Sequence, residues 1–438
     1  MVDDYDLPAG SERNRALHDE AQGVFPGGVS HNIRSFEPYP IYVERAADAI
    51  IEDADGNEYV DFWMNHITSL LGHAHPDVVD AVQEQAANGL HWGTVNEKAL
   101  ALGRKIQEYV PSAERVRFCA SGTEATMYAV RLARAYTGHD HVLKLEGGWH
   151  GGNTDLSVGI HAPYDKPETV GLPPGAPEHV HAFPLNDRDA VERLLDAHDV
   201  AGIIIEPLLL AGGGVVPDES FLEYLRDAAD EHEFVLIFDE VVTGFRFAPG
   251  SYQARVGVLP DITTLGKFVG GGLPVGALCG RADLFTAARP AYDGDDPVLA
   301  GGGTFSMNPM TATAGLASLD VLESEPVHDY VESQGERVRE ELAAVFADLG
   351  IDAAITGAGS LFLNHFEPDG PLETVADIET GTNRDALKTF HRRLFERGYY
   401  FLPGHMGAIS YATTEEQLDG FLEAAEAVAR ELQADGVL

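Results

Sequence analysis

The sequence predicts an α/β fold built on a mostly parallel seven-stranded sheet, with a small α+β layer beside it, and three observations point there. Between Arg115 and Arg281 seven apolar runs recur, VRFCAS, HVLKLEG, VHAFPL, AGIIIEP, FVLIFDE, ITTLGK and VGALCGR, with helical patterns between most of them. Several runs are apolar continuously rather than at every second residue, as strands are when both faces of a parallel sheet are covered. Two runs end on opposite charges: FVLIFDE stops at Asp239 and Glu240, and ITTLGK stops at Lys267, about 28 residues after Asp239. In open α/β sheets the carboxyl edge is where ligands sit.

Composition narrows the class. With 438 residues the chain is long enough to divide into domains, and the patterns divide it into a segment 1–60, a large domain 61–308 and a C-terminal domain 309–438. Acidic residues number 71 against 29 basic ones, a formal net charge of −42. That balance excludes nucleic acid and anionic membrane surfaces as partners, because both require a basic footprint. A hydrophobic share of 44% excludes a disordered acidic chain. The acidic excess, with arginine favoured over lysine, resembles proteins adapted to concentrated salt, where screening removes self-repulsion. Refolding without salt tests that expectation. Cys119 and Cys279 lie inside apolar runs and read as small buried side chains in a reducing compartment rather than as a disulfide or metal pair. No apolar run reaches the roughly 18 residues of a membrane span, and the acidic start MVDDYDLPAGSERNR is unlike a signal peptide. A cytoplasmic location is expected.

The elements follow in order. Ser11 to Gln22 has a helical pattern and leads into the glycine turn of FPGGVSHNIRSF. YPIYVERAADAIIEDADGNEYVDFW reads as a small antiparallel sheet turning at Asp55-Gly56. LLGHAHPDVVDAVQEQAANG reads as a loop and an amphipathic helix, with His73 and His75 as turn residues, since no further zinc ligands are near. In CASGTEATMYAVRLARAYTG, Ser121 and Glu124 have capping-box spacing, Gly138 can close the helix, and Ala129, Ala133 and Tyr136 share a face. The stretch from Thr154 to Glu178, rich in Pro and Gly, is long enough for a mobile lid. Beyond Pro309 come a helix, two or three more helices and the strand patterns ITGAGSLFLNHF and YYFLPG. No metal site is expected.

A lysine and a carboxylate at one sheet edge match one cofactor. Pyridoxal phosphate takes a lysine for its Schiff base and a carboxylate for its pyridinium nitrogen. A carboxylate buried at a strand end is costly unless a cation meets it, which suits Asp239 opposite a protonated ring; a structural pairing with Arg246 is the alternative. Lys267 stands between an apolar strand and three glycines in a chain with six lysines. A P-loop is excluded, because Phe268 follows Lys267 where Ser or Thr is needed. The helix opening on Ser121, Gly122 and Thr123 offers N–H groups to a phosphate. Trp149 and His150 in LKLEGGWHGGN place rings at the same edge, where one can stack on the cofactor, and Val241 can pack the opposite ring face if the strand continues. Glu206 and Thr304 are further cofactor candidates. Arg34, after a glycine pair, can clamp a substrate carboxylate or be an ordinary surface arginine.

The order of SGTEA at Ser121, GGWHGG at Gly147, EP at Glu206, FDEVVTGFR at Phe238, TLGK at Thr264, GGGLPVGA at Gly270 and GGTFSMNP at Gly302 resembles the class III pyridoxal phosphate aminotransferases, and within them the glutamate-1-semialdehyde aminomutase branch. The resemblance implies a fold type I homodimer with its active site at the subunit interface. It implies Lys267 as the Schiff-base lysine, Asp239 at the pyridine nitrogen, Gly122 and Thr123 at the phosphate, Thr304 at the phosphate of the neighbouring subunit, and Arg34 at the substrate carboxylate. The chain departs from the aminomutases at Ala120, at Trp149, at GGVSHNIR, at LLLAGGG after Glu206 and at PGHMGAIS from Pro403, where they carry a glutamate. These departures favour an aminotransferase with a separate amino acceptor; a true aminomutase is the alternative, and a non-catalytic binding protein on the same fold is the reading from another class.

Overall fold

The computed structural model describes residues 11–173, 175–290, 299 and 302–438. The acidic start up to residue 10 and Gly301, ahead of the last motif, lie outside the described residues. A helix, Glu12–Gln22, and short turns at Pro26–Gly28 and Asn32–Arg34 lead into β1 (Val43–Ala47), β2 (Ile50–Asp53) and β3 (Glu58–Asp61). These three are antiparallel, and the β2–β3 hairpin turns at Gly56 with φ +84°.

All seven apolar runs are strands: β4 (Arg115–Cys119), β5 (His141–Leu145), β6 (Val180–Phe183), β7 (Val200–Ile205), β8 (Val235–Asp239), β9 (Ile262–Gly266) and β10 (Gly276–Gly280). They form one sheet in the order β4-β10-β9-β8-β7-β5-β6, parallel except that β10 runs against both its neighbours. Continuous apolarity has the expected cause. Ile204 and Ile237 face Ala125, Ala129 and Ala133 of the helix Gly122–Thr137, while Ile203, Leu236 and Phe238 face Phe221 and Leu225 of the helix Glu219–His232 on the other side. Tyr136 departs from its expected face. It lies on the last turn of its helix, 45% exposed, with its hydroxyl donating to Asp283 at 2.9 Å.

The remaining strands, β11 (Ala353–Thr356), β12 (Leu361–Phe366), β13 (Tyr399–Tyr400) and β14 (Gly407–Ala408), pack with the helices Val327–Asp348, Arg384–Phe395 and Glu415–Ala434. ITGAGSLFLNHF is a hairpin of β11 and β12 rather than one strand, because Gly357 and Gly359 take positive φ and reverse the chain. β13 pairs in parallel with β3, so the N-terminal and C-terminal segments share one sheet. Phe62, Phe362, Phe401 and Phe421 pack ring against ring beneath it.

The stretch expected to be a lid is anchored in its first part. Leu156, Val158 and Ile160 are buried, Val158 bridges to Pro167, and the Tyr164 hydroxyl donates to Glu379 at 2.8 Å. Three buried apolar side chains anchor this stretch against free movement.

Candidate active site

Strands β8 and β9 are adjacent and parallel, with Asp239 opposite Thr264, so Asp239 ends one strand and Lys267 follows the end of the next. Lys267 has a positive φ of 47°, a left-handed conformation uncommon for a side-chain-bearing residue. Among the described residues its amine has no hydrogen-bond or ion-pair partner. Burial lowers its pKa, against the opposing pull of Asp239 and Glu206.

Asp239 is 5% exposed and has three donors. Its Oδ1 accepts from the Thr264 hydroxyl and the Val241 N–H, both at 3.1 Å, and its Oδ2 lies 2.7 Å from His150 Nδ1. Arg246 does not pair with it. That guanidinium is itself buried and donates to the Ser360 hydroxyl at 2.9 Å and to the Ile67 carbonyl. The neighbouring Glu240 faces away, accepting from Tyr252 N–H at 2.6 Å and the Gln253 side chain at 2.9 Å.

His150 is fully buried. Burial pulls its pKa down while its bond to Asp239 pulls it up; with Nδ1 donating to Asp239, Nε2 is a buried acceptor with no partner. Trp149 is 49% exposed, and its N–H donates to Glu206 Oε1 at 2.8 Å. Glu206 is also tied to the loop after β7: its second oxygen accepts from the N–H groups of Leu210 and Ala211 at 3.1 and 3.3 Å. Burial, and then Asp239, push its pKa up to about 7.

The Ser121 hydroxyl caps its helix by accepting from Glu124 N–H at 3.2 Å, and the Glu124 carboxylate reaches back to Ala120 N–H at 2.6 Å. The N–H groups of Gly122 and Thr123 precede the first intrahelical bond, from Ala125 to Ser121. β8 does not continue to Val241, which lies in the turn after it. Its side chain instead fills the space between the helix start and the lysine: a Cβ on Gly122 would lie 2.9 Å from Val241 Cγ1, and one on Gly266 3.1 Å. Thr304 is exposed in a turn whose Gly303 lies against Glu124 and Ala120. Arg34 is exposed and bonds only weakly to Ser30, at 3.4 Å.

Several residues here carried no sequence signal. Met64, Asn65, His66 and Ile67 all have positive φ, a left-handed turn without a glycine, which costs roughly 1–2 kcal/mol per residue. Asp61 holds its start by accepting from Trp63 and Met64 N–H, and Arg246 holds its end at the Ile67 carbonyl. The turn sets the Trp63 ring at a tilt against His66, centroids 4.8 Å apart, and against His405 at 5.5 Å, with His31 edge-on to His66 at 5.8 Å. Burial lowers the His66 pKa to about 4, helped by Arg34, His31, Lys267 and His405. These rings therefore wall the site on the Lys267 and Arg34 side. His141, His181 and His198 gather elsewhere, around the N-terminal ends of their strands, but their rings stack within 12–29° of parallel. Their candidate ligand nitrogens lie within 4.8 Å of one another, and His141 Nδ1 is 2.9 Å from His181 Nε2. His73, by contrast, is held by Asp61 at 2.8 Å.

Pyridoxal phosphate fits these residues. An amine without a partner, an imidazole nitrogen buried without one, and a helix start where no side chain fits beside Val241 all occur at one sheet edge. A family model described as Aminotransferase class-III matches residues 33–428. The chain is 39% identical over 417 residues to the glutamate-1-semialdehyde 2,1-aminomutase of Methanopyrus kandleri, covering 94% of this chain and 95% of that one. It is 38% identical over 422 residues to that of Methanothermobacter thermautotrophicus, covering 95% and 98%. An omega-transaminase structure from Sphaerobacter thermophilus superposes with a TM-score of 0.89 at 33% identity, covering 96% of this chain and 98% of that one. The chain belongs to the class III aminotransferase family.

Proposed function

We propose that the chain is a pyridoxal phosphate enzyme that relocates the amino group within one small carboxylated substrate, as a glutamate-1-semialdehyde 2,1-aminomutase. The observation that carries the chemistry is the pairing of partnerless Lys267 with three-donor Asp239 across adjacent strand ends. The names of the curated relatives support the aminomutase over transfer to a separate acceptor, the order opposite to that favoured by the sequence departures.

When bound, the cofactor supplies an aldehyde carbon that accepts an amine and a ring that draws electrons from the adjacent carbon. Lys267, whose pKa burial lowers, would hold the cofactor through its amine and would be placed to take and return a proton at the substrate carbon. Asp239, oriented by His150, Thr264 and Val241, would meet the ring nitrogen and keep it protonated. Gly122 and Thr123 hold the phosphate through N–H groups at the helix start. Arg34 receives the substrate carboxylate. Exposed Trp92, Val95, Trp149 and Phe305 support a second copy of the chain covering this side, with Thr304 reaching the neighbour's phosphate. The free, buried Cys119 and Cys279 support a reducing, cytoplasmic setting; among the described residues no helix is long and apolar enough to cross a membrane.

A second reading, transfer to a separate keto acid or aldehyde, is favoured by the substrate wall. His405 stands in the run where aminomutases carry a glutamate, and His31, His66 and Trp63 join it around Arg34. One assay separates the two. Glutamate-1-semialdehyde given alone should be isomerised; an amino group that appears only on an added keto acid, without isomerisation, establishes the second reading instead.

A further inference from the structure

The central sheet buries a second lysine. Lys144, in the interior of β5, has no exposed surface, and among the described residues its ammonium bonds to carbonyls and to no carboxylate. Its Nζ donates to three carbonyl oxygens of one loop: Gly148 at 2.7 Å, Val158 at 2.8 Å and Leu156 at 3.4 Å. A cation removed from water is unfavourable unless negative charge balances it. Here the balance is reached through the backbone. The Trp149 N–H that donates to Glu206 belongs to the same planar amide as the Gly148 carbonyl. That single peptide group therefore holds a buried ammonium on its oxygen and a buried carboxylate on its N–H, and each charge polarises the amide toward the other.

We propose that Lys144 and Glu206 are positioning residues coupled through the Gly148–Trp149 amide, a clamp that sets how Trp149 and His150 are presented to the site. His150 follows directly and bonds to Asp239. The Leu210 and Ala211 N–H groups fix Glu206 to the loop after β7, so the clamp ties the 148–158 loop to two strands at once. Burial lowers the Lys144 pKa to about 8, and Glu206, Glu168 and Asp239 oppose that shift. The clamp belongs to the fold, and only its effect on the cofactor rests on the function proposed above.

The test uses the full chain as Lys144→Met, Glu206→Gln and the double variant. Amide hydrogen exchange of residues 148–158 is followed without cofactor, and loss of pyridoxal phosphate by dialysis is followed after loading. Each single variant should speed exchange in this loop by about tenfold, since removing one partner strands the other. The double should exchange no faster than the more severe single, because neither charge is then left alone. Cofactor loss should follow the same order. Independent effects that multiply in the double overturn the proposal, as does a Lys144→Met chain whose loop exchanges like wild type. If Lys144→Met does not fold, Glu206→Gln decides: unchanged exchange at 148–158 overturns the coupling, and faster exchange confined there supports it. Failure of the cofactor assignment is distinguishable, because wild type would then retain no pyridoxal phosphate while the exchange pattern stood.

Discussion

His150 Nδ1 lies 2.7 Å from Asp239 Oδ2, and the other nitrogen of the same imidazole is buried without a partner. The ring thus orients the carboxylate from behind while Thr264 and Val241 fix its second oxygen. Asp239→Asn should keep the fold and the attachment at Lys267 but lower kcat at least about a hundredfold, because the group proposed to meet the ring nitrogen loses its charge. His150→Ala should lower kcat less, since it removes orientation and not the charge. Steady-state kinetics with absorbance of the loaded protein check both; equal losses would show that the imidazole is more than a support.

Glu206 gives a pH signature. Its folded pKa is raised to about 7 from the ordinary 4.5 of a glutamate, so its contribution to stability is fully present below the unfolded pKa and is lost as pH rises through the folded one. Wild type should lose stability relative to Glu206→Gln between about pH 4.5 and 7, by roughly 2–4 kcal/mol. Urea midpoints of the two proteins at pH 4.5 and 7.5 measure this. A constant difference between them across that range would show that the carboxyl is not shifted.

Packing at the helix start is equally direct. A methyl group on Gly122 would sit 2.9 and 3.0 Å from the two Val241 methyls, and such overpacking costs roughly 1–3 kcal/mol. Gly122→Ala should therefore weaken pyridoxal phosphate retention, and Val241→Ala in the same chain should restore much of it. No loss in the single variant would mean that the helix start moves freely.

Much of this was legible in the sequence, for identifiable reasons. Strand identity rests on local apolar runs, and both-sided burial made those runs unbroken, so all seven strands of the sheet were readable. Lys267 and Asp239 were readable because each directly ends such a run. The bond between His150 and Asp239 joins residues 89 apart, and nothing local encodes it. Lys144 looks like one polar residue in a strand; only the loop folding back over it turns it into a clamp. The left-handed turn at Met64–Ile67 was invisible because positive φ is ordinarily signalled by glycine, and here Asp61 and Arg246 impose it from outside. Tyr136 and the ITGAGSLFLNHF hairpin depart from their sequence patterns because the helix ends within a residue of Tyr136 and two glycines reverse the chain between β11 and β12.

The account stands most directly on which amine holds the cofactor. The protein saturated with pyridoxal phosphate is reduced with borohydride, digested and mapped by mass spectrometry. Two of the six lysines lie at this sheet edge's core, and they differ in partners: Lys267 has none among the described residues, whereas Lys144 is held by three carbonyls. The account predicts one stable adduct per chain, at Lys267. An adduct at Lys144 or another lysine, or none at saturation, would contradict it.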